Sequence, residues 1–102
     1  MRTEVRAHGI DLSDDLRTMV HQETERLAQA LRRRIDTVKV DLYEEAGAGP
    51  QGHCTRCHVY VLFEDGSRVE QTDEDDDYGH SVMGAFVKIL CDRHRHQSRS
   101  SH

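Results

Sequence analysis

One alternating segment followed by a tight turn most strongly constrains how this 102-residue chain can fold. Between residues 56 and 63, apolar and more polar side chains alternate, which is typical of a half-buried strand. Asp65-Gly66 follows directly, and this dipeptide favours a hairpin turn into a further strand around Val69. The two strands are therefore expected to pair antiparallel, with one apolar face that the rest of the chain has to cover.

Two further strands are predicted earlier in the chain. Residues 2–8 alternate, with Thr3, Val5 and Ala7 on one side, and residues 38–42 alternate in the same way. The glycine-rich residues 46–52 that follow predict a loop.

Two amphipathic helices are predicted between and after these strands. Ser13 is a favourable N-cap, and the apolar residues after it recur at helical spacing as far as Arg32-Arg33-Arg34, cations that suit a helix C-terminus. The acidic residues 73–77 predict the start of the second helix. Cys91 follows the apolar residues Ile89 and Leu90, which suggests that it is partly buried. The predicted inner positions of this helix are Val82, Ala85, Phe86, Ile89 and Leu90.

The order β-α-β-β-β-α predicts an α+β fold. Each strand has one apolar face and each helix one apolar stripe, so the most economical packing places both helices on one face of a four-stranded sheet. The other face of the sheet is expected to stay open. Residues 1–93 are predicted to form a single domain, and residues 94–102, which offer no apolar side chain for docking, a flexible tail.

Composition narrows the class of protein. With 35% hydrophobic and 32% charged residues the chain is expected to fold, and no stretch approaches the roughly 20 apolar residues of a membrane span. The N-terminus lacks the apolar core of a secretory signal, so a cytoplasmic location is predicted. The three cysteines are expected to be free thiols or metal ligands, because disulfides are rare in a reducing compartment.

Charge and motifs favour binding over catalysis. The net charge of −5 argues at first against a nucleic-acid partner. However, residues 40–87 hold 2 basic and 11 acidic side chains, whereas residues 88–102 hold 4 and 1, so an acidic middle lies between more basic ends. No nucleophile has an evident base, and there is no glycine-rich phosphate loop and no convergent carboxylate pair. The protein is therefore not expected to be an enzyme.

Residues 7–17 read Ala-His-Gly-Ile-Asp-Leu-Ser-Asp-Asp-Leu-Arg and resemble the strand-to-helix connection of the ribosome hibernation promoting factors. Residues 38–42, Asp65-Gly66, residues 76–78 and Lys88-Ile89 follow in the order and at roughly the spacing of that family. The resemblance covers nearly the whole domain. It implies a fold like that of double-stranded RNA-binding domains. It also implies a translation inhibitor that acts under stress. Such an inhibitor binds the small ribosomal subunit at the place where messenger and transfer RNA would sit.

The same resemblance implies which side chains contact rRNA. On the family's pattern these are basic side chains on the outer faces of both helices: Arg26, Arg32, Arg33, Arg34, Lys88, Arg93 and Arg95. Phosphate contacts by such cations position a protein on RNA, and the shape of the RNA provides selectivity. A structural alternative is that the three consecutive arginines only stabilise a helix end.

The resemblance also implies what the chain does not need. No cofactor, DNA partner or membrane is implied, and the C-terminal domain by which longer members pair ribosomes is not expected in a chain of this length. Gly79 and Gly84 depart from the family, because stronger helix formers are usual in the second helix.

A second candidate motif contains Cys-x-x-Cys-His, the attachment signature of c-type haem, within residues 53–58. Haem attachment is not expected without export. Zinc could be held by His53, Cys54, Cys57 and His58. Strand alternation, however, directs Cys57 inward and His58 outward, which favours Cys57 as a small buried hydrophobe. No metal site is predicted, and a small metal-binding module is kept as an alternative.

A third hypothesis keeps the fold but not the ribosome. In that case the open sheet face would recognise a protein, with Tyr43, Tyr60 and Leu62 as the contact residues.

Overall fold

The computed structural model describes residues 1–46 and 53–100, and for residues 45, 46, 53 and 92–100 it describes the backbone alone. The order β-α-β-β-β-α is the predicted one. Most of the predicted loop over residues 46–52 lies outside the described residues, and Ala46 ends a strand. Within the described ranges, no helix is long and apolar enough to cross a membrane. The elements are β1 Arg2–His8, α1 Asp14–Leu31, β2 Ile35–Ala46, β3 His53–Phe63, β4 Arg68–Asp75 and α2 Tyr78–Ser100.

The four strands form one mixed sheet in the order β1-β2-β3-β4. β1 pairs parallel with β2, because α1 carries the chain back to the starting edge. β2 with β3 and β3 with β4 pair antiparallel, which confirms the predicted hairpin. Gly66 allows the turn, since its φ of 90° lies in the left-handed region that other residues rarely adopt.

Both helices pack on one face of the sheet, as predicted, and the core lies between the two layers. Thr24 is a buried polar residue within this core. Its hydroxyl donates to the carbonyl of Val20 at 2.8 Å, so the buried oxygen has a hydrogen-bond partner. The buried apolar residues are Val20, Leu27, Leu31, Ile35, Val38, Val40, Leu42, Cys57, Val59, Val61, Phe63, Val82, Ala85, Phe86 and Ile89.

The start of α1 is as predicted, but its end is earlier. The hydroxyl of Ser13 accepts a hydrogen bond from the Leu16 N–H at 3.1 Å and so caps the helix. The helix ends at Leu31, and Arg32 takes a left-handed conformation with a φ of 52°. The three consecutive arginines therefore follow the helix and do not form its last turn, because a left-handed residue reverses the chain direction.

The start of α2 is later than the acidic run suggested. Residues 73–75 belong to β4, and only Asp77 caps the helix: its carboxylate accepts from the His80 N–H at 3.1 Å. Residues 73–75 are strand residues, so their side chains alternate between the two faces of the sheet. A run of acidic residues does not by itself distinguish the end of a strand from the first turn of a helix.

The inner face of α2 is narrower than predicted. Val82, Ala85, Phe86 and Ile89 are buried, whereas Leu90 is 37% exposed and Cys91 is exposed. Each helical residue turns the side chain by about 100°, so positions 90 and 91 face away from the stripe that Ile89 continues. Both burial predictions were wrong for this reason. The backbone stays helical to Ser100, so the predicted tail begins inside α2, and its flexibility and the domain limit at residue 93 stay predictions.

Candidate nucleic-acid interface

The turn between α1 and β2 carries two exposed arginines. The N–H of Arg32 donates to the carbonyl of Ala28 at 3.3 Å, which closes the helix and leaves the side chain in solvent. Arg34 is also exposed, and its carbonyl accepts a hydrogen bond from the Glu64 N–H at 3.0 Å. In the part of the chain that the structure describes, neither guanidinium contacts a carboxylate. Both are therefore available to a polyanion.

Arg33, between them, is occupied by contacts within the protein. Its guanidinium lies 3.8 Å above the ring centroid of Phe63, and Nη2 donates to Asp65 at 3.0 Å and to Ser67 at 2.7 Å. This side chain joins the α1–β2 turn to the β3–β4 hairpin. Nη2 uses both of its hydrogens in these bonds, so a phosphate would have to be contacted through Nη1 or Nε.

Asp65 is fixed in this hairpin by its neighbours. Its carboxylate accepts hydrogen bonds from the Ser67 hydroxyl at 2.6 Å and from the Ser67 N–H at 2.9 Å. These bonds to Ser67, and secondarily the Arg33 guanidinium, hold the pKa of Asp65 below its usual value of 3.8. In the folded protein this carboxylate is therefore ionised at neutral pH.

The remaining predicted cations are scattered over both helices. Arg26 is 73% exposed and contacts Glu23 at 3.1 Å. Lys88 contacts Asp73 at 2.8 Å. The side chains of Arg93 and Arg95 lie outside the described residues, so only their place on the α2 backbone is known. The structure therefore brings together Arg32, Arg33 and Arg34 in one turn, with Arg26 and Lys88 on separate elements.

The pairing of Lys88 explains a glycine inside α2. Lys88 Nζ also donates to the carbonyl of Thr72 at 2.9 Å, which ties the helix to β4. A Cβ atom at Gly84 would overlap the Asp73 carboxylate and would lie 2.6 Å from its Cγ. Glycine at this position lets the carboxylate lie against the helix, where it meets Lys88 one turn later.

The sheet face opposite the helices, called here the open sheet face, is a regular grid of side chains. Residues directly opposite each other on neighbouring strands form four rows across the sheet. None of these side chains is buried. The rows are Arg2, Thr37, Leu62 and Arg68; Glu4, Lys39, Tyr60 and Glu70; Arg6, Asp41, His58 and Thr72; and His8, Tyr43, Arg56 and Glu74.

The aromatic rings of the open sheet face lie beside other side chains of that face. His8 stacks on Tyr43 with 4.4 Å between ring centroids and an interplanar angle of 9°. Lys39 Nζ lies 5.9 Å from the ring centroid of Tyr60. The two tyrosines predicted as protein contacts thus have polar partners within the face, and Leu62 is its one aliphatic member.

The Cys-x-x-Cys-His run does not converge on one point. Cys57 lies fully buried in the core, and burial raises the pKa of its thiol from 9.0 to about 12. His58 projects from the opposite face, where its ring contacts Thr72 at 2.8 Å and Glu70 at 3.0 Å. These two side chains cannot bind the same ion, as strand alternation predicted.

An exposed apolar stripe runs along the outer side of α2. Met83 is 44% exposed, Val87 55% and Leu90 37%, at positions one helical turn apart. This stripe was not predicted from the sequence, because the apolar spacing of α2 was assigned to a single inner face.

Comparison with known proteins yields likeness in structure alone. No protein-family profile and no curated protein matches the sequence. A ribosomal subunit interface protein from Coxiella burnetii has a similar structure, with a TM-score of 0.79 at 16% identity over 96% of this chain and 99% of that one. The Protein Y N-terminal domain from Thermus thermophilus has a TM-score of 0.65 at 21% identity over 97% and 96%. The chain thus has the fold of the ribosome hibernation factors, as its helix start predicted.

Proposed function

We propose that this protein is a cytoplasmic, non-enzymatic factor that binds the small ribosomal subunit through rRNA and inhibits translation under stress. The observation that carries the proposal is the likeness, over nearly the full length of both chains, to a ribosomal subunit interface protein. The match runs from end to end in both chains, so the likeness extends over the whole domain and is not limited to one part of it. The sequence identity is too low to transfer residue roles, so those are argued from this chain's own contacts.

The contacts favour Arg32 and Arg34 as the principal phosphate-binding side chains. Both are exposed, and neither contacts a carboxylate among the described residues. Arg26 and Lys88 already contact carboxylates, so each would have to exchange that contact for one with a phosphate. Such an exchange contributes less binding free energy than a new contact does. Arg33 contributes by fixing the turn that carries the other two.

Co-sedimentation with purified small ribosomal subunits at low and high salt tests the proposal. Wild type should bind at low salt and be released at high salt, since phosphate contacts exchange with counterions. Arg34→Glu should weaken binding at least about tenfold, because a lost charge-assisted bond of about 1.5 kcal/mol has that effect. Arg17→Glu is the matched control, as Arg17 is an exposed arginine on α1 and the charge change is equal.

Arg32→Gly sharpens the test, because it removes the charge without straining the turn. Glycine is the usual residue at a left-handed helix end, so this variant is expected to fold at least as well as wild type. Weaker binding by a more stable protein could not be attributed to unfolding. Absence of binding at low salt, or equal losses with Arg17→Glu, would contradict the proposal.

A second candidate function is binding to a protein, favoured by the exposed stripe of Met83, Val87 and Leu90. The same co-sedimentation separates the two candidates. If the ribosome is contacted through a ribosomal protein, Val87→Asp abolishes binding and Arg34→Glu does not, and the binding resists salt.

A further inference from the structure

The open sheet face differs in charge from the rest of the molecule. The sixteen residues of its four complete rows include five basic and four acidic side chains, a formal charge of +1 with histidines neutral. The whole chain has a charge of −5, so the remaining residues together carry −6. These rows are thus less negative than the rest of the chain and repel a polyanion less. The basic residues are Arg2, Arg6, Lys39, Arg56 and Arg68, and the acidic residues are Glu4, Asp41, Glu70 and Glu74.

The acidic and basic side chains of this face are unevenly paired. Each of the four carboxylates contacts an arginine or histidine of the same face, at distances between 2.9 and 3.9 Å. Arg6, Lys39 and Arg68, by contrast, contact no carboxylate within the described residues. These three cations lie on three different strands and are all exposed. A ligand with several phosphates could therefore contact more than one of them.

Flat aromatic surfaces lie among these cations. The His8–Tyr43 stack occupies one end of the grid, in the row next to Arg6. Tyr60 lies two rows away beside Lys39. Aromatic rings beside cations are the combination that binds single-stranded nucleic acid, since unpaired bases stack on the rings while phosphates contact the cations. Two residues along a strand advance by about 6.8 Å, so the two tyrosines lie roughly 14 Å apart along the sheet.

The alternative ligands fit this face less well. A protein interface is built around a desolvated apolar centre, and Leu62 is the one aliphatic side chain among the sixteen. Duplex RNA hides the faces of its bases and is recognised by groove shape. We infer that the open sheet face binds single-stranded RNA by base stacking on the His8–Tyr43 stack and Tyr60, with Arg6, Lys39 and Arg68 contacting phosphates. The chemistry is that of any single-stranded nucleic acid, and the choice of RNA over DNA rests on the proposed function.

Fluorescence anisotropy with a labelled mixed-sequence RNA of about 12 nucleotides tests the inference, since sites of single-strand binders span about 4–16 nucleotides. Tyr43→Phe keeps the ring and should bind as wild type does. Tyr43→Leu keeps an apolar side chain but removes the ring, and should bind at least about fivefold more weakly. Arg6→Glu should weaken binding about as much, and the charge-matched Arg17→Glu on α1 by less than about twofold. Thermal unfolding of each variant shows whether it is folded.

Three outcomes would overturn the inference: no binding of single-stranded RNA at low salt, tighter binding of an RNA duplex of equal length, or equal affinities for Tyr43→Leu and Tyr43→Phe. A parallel titration with DNA of the same sequence distinguishes RNA from nucleic acid in general. The assay uses free RNA and no ribosome. Its failure would leave the co-sedimentation result untouched, and a protein that binds free RNA but not ribosomes would contradict only the proposed function.

Discussion

Burial determines the protonation state of the Cys57 thiol. The side chain is fully buried between sheet and helices and acts as a small hydrophobe. Desolvation is the main reason for its raised pKa, with Asp73 and Asp41 adding to it. The sulfur is therefore a neutral thiol, poorly suited to act as a nucleophile or metal ligand.

This raised pKa predicts a loss of stability in alkali. The unfolded thiol titrates near 9.0 and the folded one near 12, so the contribution to stability is complete below pH 9 and lost as the pH rises towards 12. The slope in that window should be about 1.4 kcal/mol per pH unit. Urea unfolding of wild type and Cys57→Ala from pH 8 to 11 measures it. Parallel curves for the two proteins would contradict the prediction, because tyrosines and lysines titrate alike in both.

At the scale of elements, the join between β4 and α2 depends on Gly84. The residue weakens the helix by its own flexibility, yet its missing side chain lets Asp73 lie against the helix and contact Lys88. Replacing it with alanine should gain about 1 kcal/mol of helix propensity and lose the position of the carboxylate.

A double-mutant cycle separates these two effects. In an Asp73→Ala background, where the carboxylate is gone, Gly84→Ala should stabilise the protein by about 1 kcal/mol. In wild type that gain should be offset, which gives a coupling energy of about 1 kcal/mol or more in urea unfolding. Asp76→Ala is the control, since Asp76 is an exposed acid close by in sequence, and Gly84→Ala should act there as it does in wild type. Additive effects of Asp73→Ala and Gly84→Ala would contradict this account.

The elements themselves were largely predictable from sequence. Period-two and helical spacing gave the order of the elements, and Ser13 marked the start of α1 because an N-cap is a local signal. The ends were less accurate. Whether residues 73–75 continue a strand depends on pairing with β3, a contact that no local pattern contains.

Across the whole molecule, Arg33 connects parts of the chain that are about thirty residues apart. Arg33→Ala should lower the free energy of unfolding by about 1–2 kcal/mol, because it removes a cation–π contact and bonds to the hairpin. Arg34→Ala should change it by less than about 0.5 kcal/mol, as expected for an exposed side chain. Thermal or urea unfolding measures both. Equal effects of Arg33→Ala and Arg34→Ala would show that Arg33 does not stabilise the contact between the α1–β2 turn and the β3–β4 hairpin.

The site was harder to predict than the fold, because its contacts join segments that are far apart in the sequence. Sequence identified a group of three arginines but not that the middle one packs on Phe63, since that contact joins two distant segments. The His8–Tyr43 stack likewise depends on the parallel pairing of β1 with β2. Gly84 was a usable signal, because a glycine inside a helix indicates a close approach by another group.

The positive φ of Arg32 implies a conflict between two selective pressures. A left-handed conformation costs an L-residue roughly 1–2 kcal/mol that glycine avoids. A search for heat-resistant variants alone would therefore favour glycine at position 32 and discard one of the exposed guanidinium groups of the turn. Thermal tolerance and affinity for a polyanion would then change in opposite directions at a single codon.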